Sequence, residues 1–163
     1  MGKVLVVTLV AAMQASLVAA GPLEDGTAAY NRGDFATALQ TWRPLADRGD
    51  PDVQVFLGNM FAFGQGVPRD YVAATQWYRL AADYGQPDAQ YNLGLMYDGG
   101  HGLLQDFVQA HVWFALAVAN FPASRAKDRA DAAEGLRFVA ARMTPEQIAE
   151  AQAITSAWKA KPR

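Results

Sequence analysis

The strongest constraint on this chain is that it repeats itself. The stretch Pro51–Gly85 returns 36 residues later, from Pro87 onward. Identities in register include Pro51/Pro87, Asp52/Asp88, Gln54/Gln90, Leu57/Leu93, Gly58/Gly94, Met60/Met96, Gly64/Gly100, Gly66/Gly102, Asp70/Asp106, Ala74/Ala110, Trp77/Trp113 and Ala81/Ala117. Aromatic residues replace one another at Phe61/Tyr97, Tyr71/Phe107 and Tyr78/Phe114. A unit this short cannot enclose a core alone. It buries its apolar side against the next copy, and a period in the range of roughly 20–50 residues signals a stacked array, here of short helix pairs.

Helix signals divide the repeat. Leu23 opens a helical stretch that closes near Arg32, where Gly33-Asp34 breaks it. Asp34 suits an N-cap, its carboxylate taking an orphan backbone N–H. Phe35, Ala38, Leu39, Trp42, Leu45 and Ala46 then follow at three- and four-residue spacing, one buried stripe. Pro44 lies inside that helix and removes one backbone donor. Gly49 suits a left-handed C-terminal cap, and Pro51 suits the first turn of the next helix.

In the central unit the stripe of the first helix is Val53, Phe56, Leu57, Met60 and Phe61. The loop GQGVPRD follows, and Asp70 caps a second helix with the stripe Tyr71, Ala74, Trp77, Tyr78 and Ala81. Gly58, Ala74 and Ala81 are small enough to let two helix backbones approach, with Trp77 and Leu57 filling the remaining volume. The third unit keeps this plan until Phe121-Pro122, where the repeat stops. Two further helices are expected to cap the array. Ser124–Arg142 sets Ala126, Ala130, Ala133, Leu136, Val139 and Ala140 against a charged side. In MTPEQIAEAQ, Thr144 is an N-cap, Pro145 the first helical residue and Gln147 the reciprocal partner of a capping box. Ile148, Ala151, Ile154 and Trp158 give the last helix its apolar face, and Lys159 and Lys161 suit its negative C-terminal end.

The predicted organisation is therefore an all-α chain. Residues 1–20 form an export segment. Residues 21–122 form the array, with units at about 23–50, 51–86 and 87–122, and residues 123–163 form the cap. The export reading rests on Lys3, the apolar run Val4–Val10 continued to Ala20, and small residues at Val18-Ala19-Ala20, which place a cut after Ala20. The alternative is an uncleaved anchor helix, but the stretch is short for a span and is interrupted by Gln14; no membrane span is expected after cleavage. The expected location is periplasmic or secreted.

Composition excludes several functions. Of 163 residues, 52% are hydrophobic and 18% charged, a globular balance, and the formal net charge is −2. No basic stripe offers itself to nucleic acid. With no cysteine, disulfides, thiol nucleophiles and cysteine-ligated zinc are ruled out. No serine stands in a nucleophile elbow, and no glycine-rich phosphate loop follows a strand. Asp98, His101 and Asp106 could be drawn as a metal cluster. However, Gln65 occupies the place of His101 one unit earlier, and Asp106 is needed as a helix cap, so a solvated loop histidine is expected. His111 corresponds to Thr75 and is expected to be exposed or half-buried. No cofactor, no metal and no enzymatic activity are expected.

The unit L-G-x-M-[FY]-x-x-G-x-G-x-x-x-D-[FY]-x-x-A-x-x-W-x-x-x-A resembles the Sel1-like repeat, a relative of the tetratricopeptide repeat. The match is close over Pro51–Gly85 and good over Pro87–Ala119. Gly26-x-x-Ala29-Tyr30-x-x-Gly33-Asp34-Phe35-x-x-Ala38-x-x-x-Trp42 looks more like an ordinary tetratricopeptide unit, without the four-residue loop extension. The resemblance implies an α/α right-handed superhelical solenoid whose first helices line a concave face, and an interaction module rather than an enzyme. By analogy it assigns partner contacts to Tyr30 and Asn31, to Val55, Asn59 and Ala62, and to Tyr91, Leu95 and Asp98. The expected partner is a protein or peptide held along that groove. Cell-wall glycan or peptide, including peptidoglycan, is the alternative ligand, and a minor hydrolytic activity the third reading. Oligomeric state is left open.

Overall fold

The computed structural model describes residues 21–162, and the export segment expected at residues 1–20 lies outside the described residues. Among the described residues there are eight α-helices and no strand. They are α1 (Pro22–Asn31), α2 (Phe35–Asp47), α3 (Pro51–Phe63), α4 (Tyr71–Asp83), α5 (Pro87–Gly99), α6 (Phe107–Asn120), α7 (Ala126–Ala140) and α8 (Pro145–Ala157), with a 3-10 turn at Ala123–Arg125. None is long and apolar enough to cross a membrane. The helices pack as three successive pairs, α1/α2, α3/α4 and α5/α6, each second helix also packing on the first helix of the next pair.

The helix boundaries follow from the caps. Asp34, Asp50, Asp70 and Asp106 each accept a backbone N–H from the first turn of their helices, and Thr144 and Gln147 form the capping box of α8. Such a cap stabilises a helix by about 1 kcal/mol. At the ends of α2 and α4, the N–H of the residue after Gly49 or Gly85 reaches the carbonyl of Leu45 or Ala81, while the glycines sit at φ 93° and 82°. This paired closure needs a left-handed residue, and it turns the chain straight into the next helix.

Within each pair, an aromatic ring from the second helix lies on a glycine of the first. Trp42 covers Gly26, Tyr78 covers Gly58 and Phe114 covers Gly94. A methyl group on Gly94 would stand 2.6 Å from the Phe114 ring, and the contacts at Gly26 and Gly58 are as close. All three rings are almost completely buried. Trp77, expected to fill this space, is only half-buried and instead carries the Arg43 guanidinium at 5.2 Å. One unit later Arg79 lies 5.1 Å from the Trp113 ring, so the same cation–π contact joins successive second helices.

A second contact repeats between units. Gln54 and Gln90 are buried, and each side-chain amide donates to the carbonyl of the preceding second helix, Ala46 (3.0 Å) and Ala82 (3.3 Å). These carbonyls lie in the last turn of a helix, where each also accepts the N–H of the closing glycine, Gly49 or Gly85. The glutamines add a second donor to them and set how each pair sits on the one before.

The cap is not a fourth pair. α7 and α8 both pack on α6, without pairing with each other. The face that α7 buries is Ala132 and Val139, with Gly135 and Leu136 half-buried. Ala126 and Ala130, expected on that face, are exposed. Alanines stand on several sides of this helix, so their spacing did not fix the direction. α8 stops at Ala157, and Trp158 is extended rather than helical. Lys161 does not serve the end of α8. Its backbone N–H donates to the Asp83 carbonyl at 2.8 Å and its ammonium pairs with the Asp83 carboxylate at 2.6 Å, at the end of α4. His111 is also a correction. It is buried, its Nδ1 lacks a partner, and burial lowers its pKa, so the neutral ring is favoured.

Arg125 ties the start of the cap to the array. It makes two hydrogen bonds to the Asp88 carboxylate, at 2.6 and 2.7 Å, and one to Asp128 at 2.8 Å. The bonds to Asp88 and Asp128 hold the guanidinium pKa above its usual value, and Arg125 lowers that of Asp128.

Two outcomes are expected. Gly58→Ala should lower stability by about 1–3 kcal/mol, because the added methyl meets the Tyr78 ring. An exposed helical glycine changed to alanine gains up to about 1 kcal/mol, so the sign is diagnostic. Thermal melts in a double-mutant cycle with Tyr78→Leu should show the cost shrinking when the ring is smaller. Arg125→Ala should cost about 1 kcal/mol, the side chain being partly solvated. Hydrogen exchange should then quicken over residues 123–128 and stay unchanged in α3. Uniform protection would contradict the tie.

Candidate functional site

The first helices of the three pairs share one surface. A cavity of about 550 Å³ opens there between α1, α3 and α5 and is bounded at one end by Arg125. Its apolar part comes from Leu23, Val55 and Phe56, and its polar part from Asn59, Asn92, Asp52 and Asp88. An adjoining cavity of about 230 Å³ shares Thr27, Phe56 and Asn59 and extends the surface to Tyr30 and Asn31.

Asn59 is oriented by the core. The Tyr78 hydroxyl, on the ring that covers Gly58, donates to Asn59 Oδ1 at 2.7 Å. Asn92 Nδ2 approaches the same oxygen at 3.4 Å. Asn59 Nδ2 and Asn92 Oδ1 are left without a partner among the described residues, a donor and an acceptor on adjacent first helices. Gln86 sits beside them, its amide donating to Asp52 (3.2 Å) and Asp88 (3.0 Å) while its Oε1 caps α5 through the Ala89 N–H. Asp88 is occupied by Arg125, whereas Asp52 has no cation partner among the described residues.

The residues expected to contact a partner fall into three groups. Tyr30, Asn31, Asn59 and Val55 lie on the linked cavities, although Val55 is 5% exposed and belongs mainly to the core. The Tyr30 hydroxyl is committed to Gln65 at 2.8 Å, and its ring packs edge-on to Phe35. Ala62 is 4% exposed inside the central core cluster and lines neither cavity. Tyr91, Leu95 and Asp98 come together elsewhere, in a cavity of about 290 Å³ walled by Asp131, Glu134 and Phe138 of α7. There α7 lies beside α5 as another first helix would. Burial and nearby Asp131 push the Tyr91 pKa up.

Spacing alone did not bring Phe56, Asn92, Gln86 or Arg125 to this surface. Asp52 and Asp88 were visible as a repeated acid in the first turn, which was signal enough to place them on matching faces. Arg125 closes the site from beyond the array, and nothing local marks it. His101 is exposed and stacks on Tyr71 with ring centres 4.9 Å apart. Among the described residues, no group of three or more His, Asp or Glu side chains comes together to hold a metal.

Comparison with known proteins supplies the family. The Sel1 repeat model matches residues 51–85 and 87–120. No curated protein matches the chain in sequence. A protective antigen of uropathogenic Escherichia coli that displays an SLR fold is 27% identical, with a TM-score of 0.76. The match covers 84% of this chain and 29% of the antigen, so this chain spans less than a third of that protein. A Sel1 repeat protein from Oxalobacter formigenes is 33% identical, with a TM-score of 0.58, over 68% of this chain and 86% of the relative. Sel1 repeats in general mediate protein–protein interaction, and proteins built from them are typically scaffolds without enzymatic activity. The paired helices, the repeated glycine–aromatic contacts and these matches agree: the chain belongs to the Sel1 repeat family.

Proposed function

We propose that this chain is an exported interaction module that holds an extended segment of a partner protein along the surface of α1, α3 and α5. One observation carries the reading. Asn59 and Asn92 offer an unpartnered donor and acceptor over the apolar floor at Phe56. A peptide backbone presents the complementary C=O and N–H at every residue, so such a pair grips main chain of any sequence. Side-chain preference would then come from Asp52, which suits a basic residue or an N-terminal amine, and from the pocket at Tyr30 and Asn31.

Cell-wall glycan is less well supported. Sugar stacking needs an open aromatic face. Here Phe56 stacks on Trp42 at 4.8 Å and the Tyr30 ring is packed between Phe35 and Trp42.

Crosslinking in the native cell followed by mass spectrometry should recover a protein joined to α3 or α5. Asn92→Ala and Asn59→Ala should each lower its recovery by about three- to ten-fold, from the loss of one or two hydrogen bonds in the groove. Unchanged recovery from a folded double variant would rule out the groove. Export rests on the character of residues 1–20 alone. The mass of the chain purified from its source should correspond to a start at Gly21. A full-length mass would contradict export by cleavage.

A further inference from the structure

The turns between units present two equivalent surfaces, one filled and one open. At the α4–α5 turn the C-terminal segment lies across the surface. A Cβ on Gly85 would meet Ala160 at 3.5 Å and the Trp158 ring at 3.7 Å, and Lys161 is held through both its backbone and its ammonium by Asp83. Moving back by one repeat replaces Asp83 with Asp47, Gly85 with Gly49, Gln90 with Gln54, Trp113 with Trp77 and Leu116 with Leu80. All five replacements line an open cavity of about 350 Å³ at the α2–α3 turn. A Cβ on Gly49 would meet nothing within 4 Å.

The open surface has the chemistry of an unfilled site. Leu80 is 45% exposed where Leu116 is 5% exposed. Trp77 is half-buried where Trp113 is buried. Gln54 is 3% exposed, and its amide is used on the Ala46 carbonyl, but its Oε1 has no partner. In the next unit the same oxygen of Gln90 accepts from Asn120 at 2.9 Å. A buried acceptor without a donor carries a desolvation cost that an incoming N–H would remove.

We propose that the α2–α3 turn docks an extended segment of a partner protein bearing an aromatic side chain followed three residues later by lysine, the chemistry that Trp158 and Lys161 present to the α4–α5 turn. The aromatic ring lies on Trp77 and Leu80, an N–H of the segment satisfies Gln54, and the ammonium reaches Asp47. Asp47 is presently paired with Arg43 at 3.0 Å, an exposed contact that is cheap to exchange. The reason for that pairing is local. Arg79, the counterpart of Arg43, donates to the Tyr97 hydroxyl, whereas Phe61 stands in the place of Tyr97 and offers none. Arg48 replaces Tyr84 and is the basic group in the wall. Its guanidinium is turned back to the Pro44 carbonyl at 3.2 Å, and it opposes a cationic guest. This site is separate from the groove of α1, α3 and α5 and does not rest on that reading.

The test is fluorescence anisotropy with a labelled peptide of residues 155–162, Thr-Ser-Ala-Trp-Lys-Ala-Lys-Pro, titrated with the full chain. Saturable binding is expected below about 1 mM. It should vanish when alanine replaces tryptophan in the peptide. Asp47→Asn should weaken it about three- to five-fold, Arg48→Tyr should tighten it by a similar factor, and Asp83→Asn should leave it unchanged. Absence of saturation overturns the proposal. So does binding that Asp83→Asn abolishes and Asp47→Asn spares, since the peptide would then be exchanging with the chain's own C-terminal segment.

Discussion

The fold depends on one contact made three times, an aromatic ring set on a glycine. Interhelical distance is fixed by the side chains at the crossing. With hydrogen as the side chain of Gly26, Gly58 and Gly94, each second helix comes close enough to set Trp42, Tyr78 or Phe114 against backbone. The ring then excludes water from both helices at once. Neighbouring contacts inherit this spacing. Ala38, Ala74 and Ala110 are fully buried on the same second helices, and larger residues there would hold the pair apart. The Tyr78 hydroxyl carries the arrangement outward, since its position over Gly58 is what lets it orient Asn59.

Order along the array comes from different chemistry. The interior of a pair is apolar, but the junctions between pairs use a buried glutamine on a helix-end carbonyl and a guanidinium on an indole. Apolar packing is tolerant of rotation, whereas a hydrogen bond to one carbonyl is not. The glutamines therefore set register between units, and the arginines lie over the tryptophans of the next second helix, half-open at Trp77 and buried at Trp113. Conservation of this device within the chain is visible: Gln54 and Gln90 are identical, as are Trp77 and Trp113.

Much of the fold could be read in advance because its signals are local. Caps at Asp34, Asp70, Asp106 and Thr144, breaks at Gly49 and Gly85, and the spacing of 36 residues all act within a turn or two of chain. What stayed hidden depends on neighbours distant in sequence. Trp77 attracted the role that belongs to Tyr78 because it is the identical residue, while the true partners of the glycines vary as Trp, Tyr and Phe. The shorter loop of the first unit also takes Gly26 out of constant spacing. His111 is buried on α6, a helix that, unlike α4, takes both α7 and α8 as neighbours. Asn59 could be placed on the binding surface by analogy. Asn92 could not, because its counterpart is Phe56, and Arg125 reaches Asp88 across 37 residues.

The packing of α7 and α8 on the same helix has a consequence for assembly. At its carboxyl-terminal end a solenoid lengthens, or stacks on a copy of itself, through the exposed side of its last second helix. α6 is that helix here, and both of the sides on which it could receive a newcomer are occupied. Repeat arrays are modular in principle, yet this arrangement makes the carboxyl-terminal end a stopper.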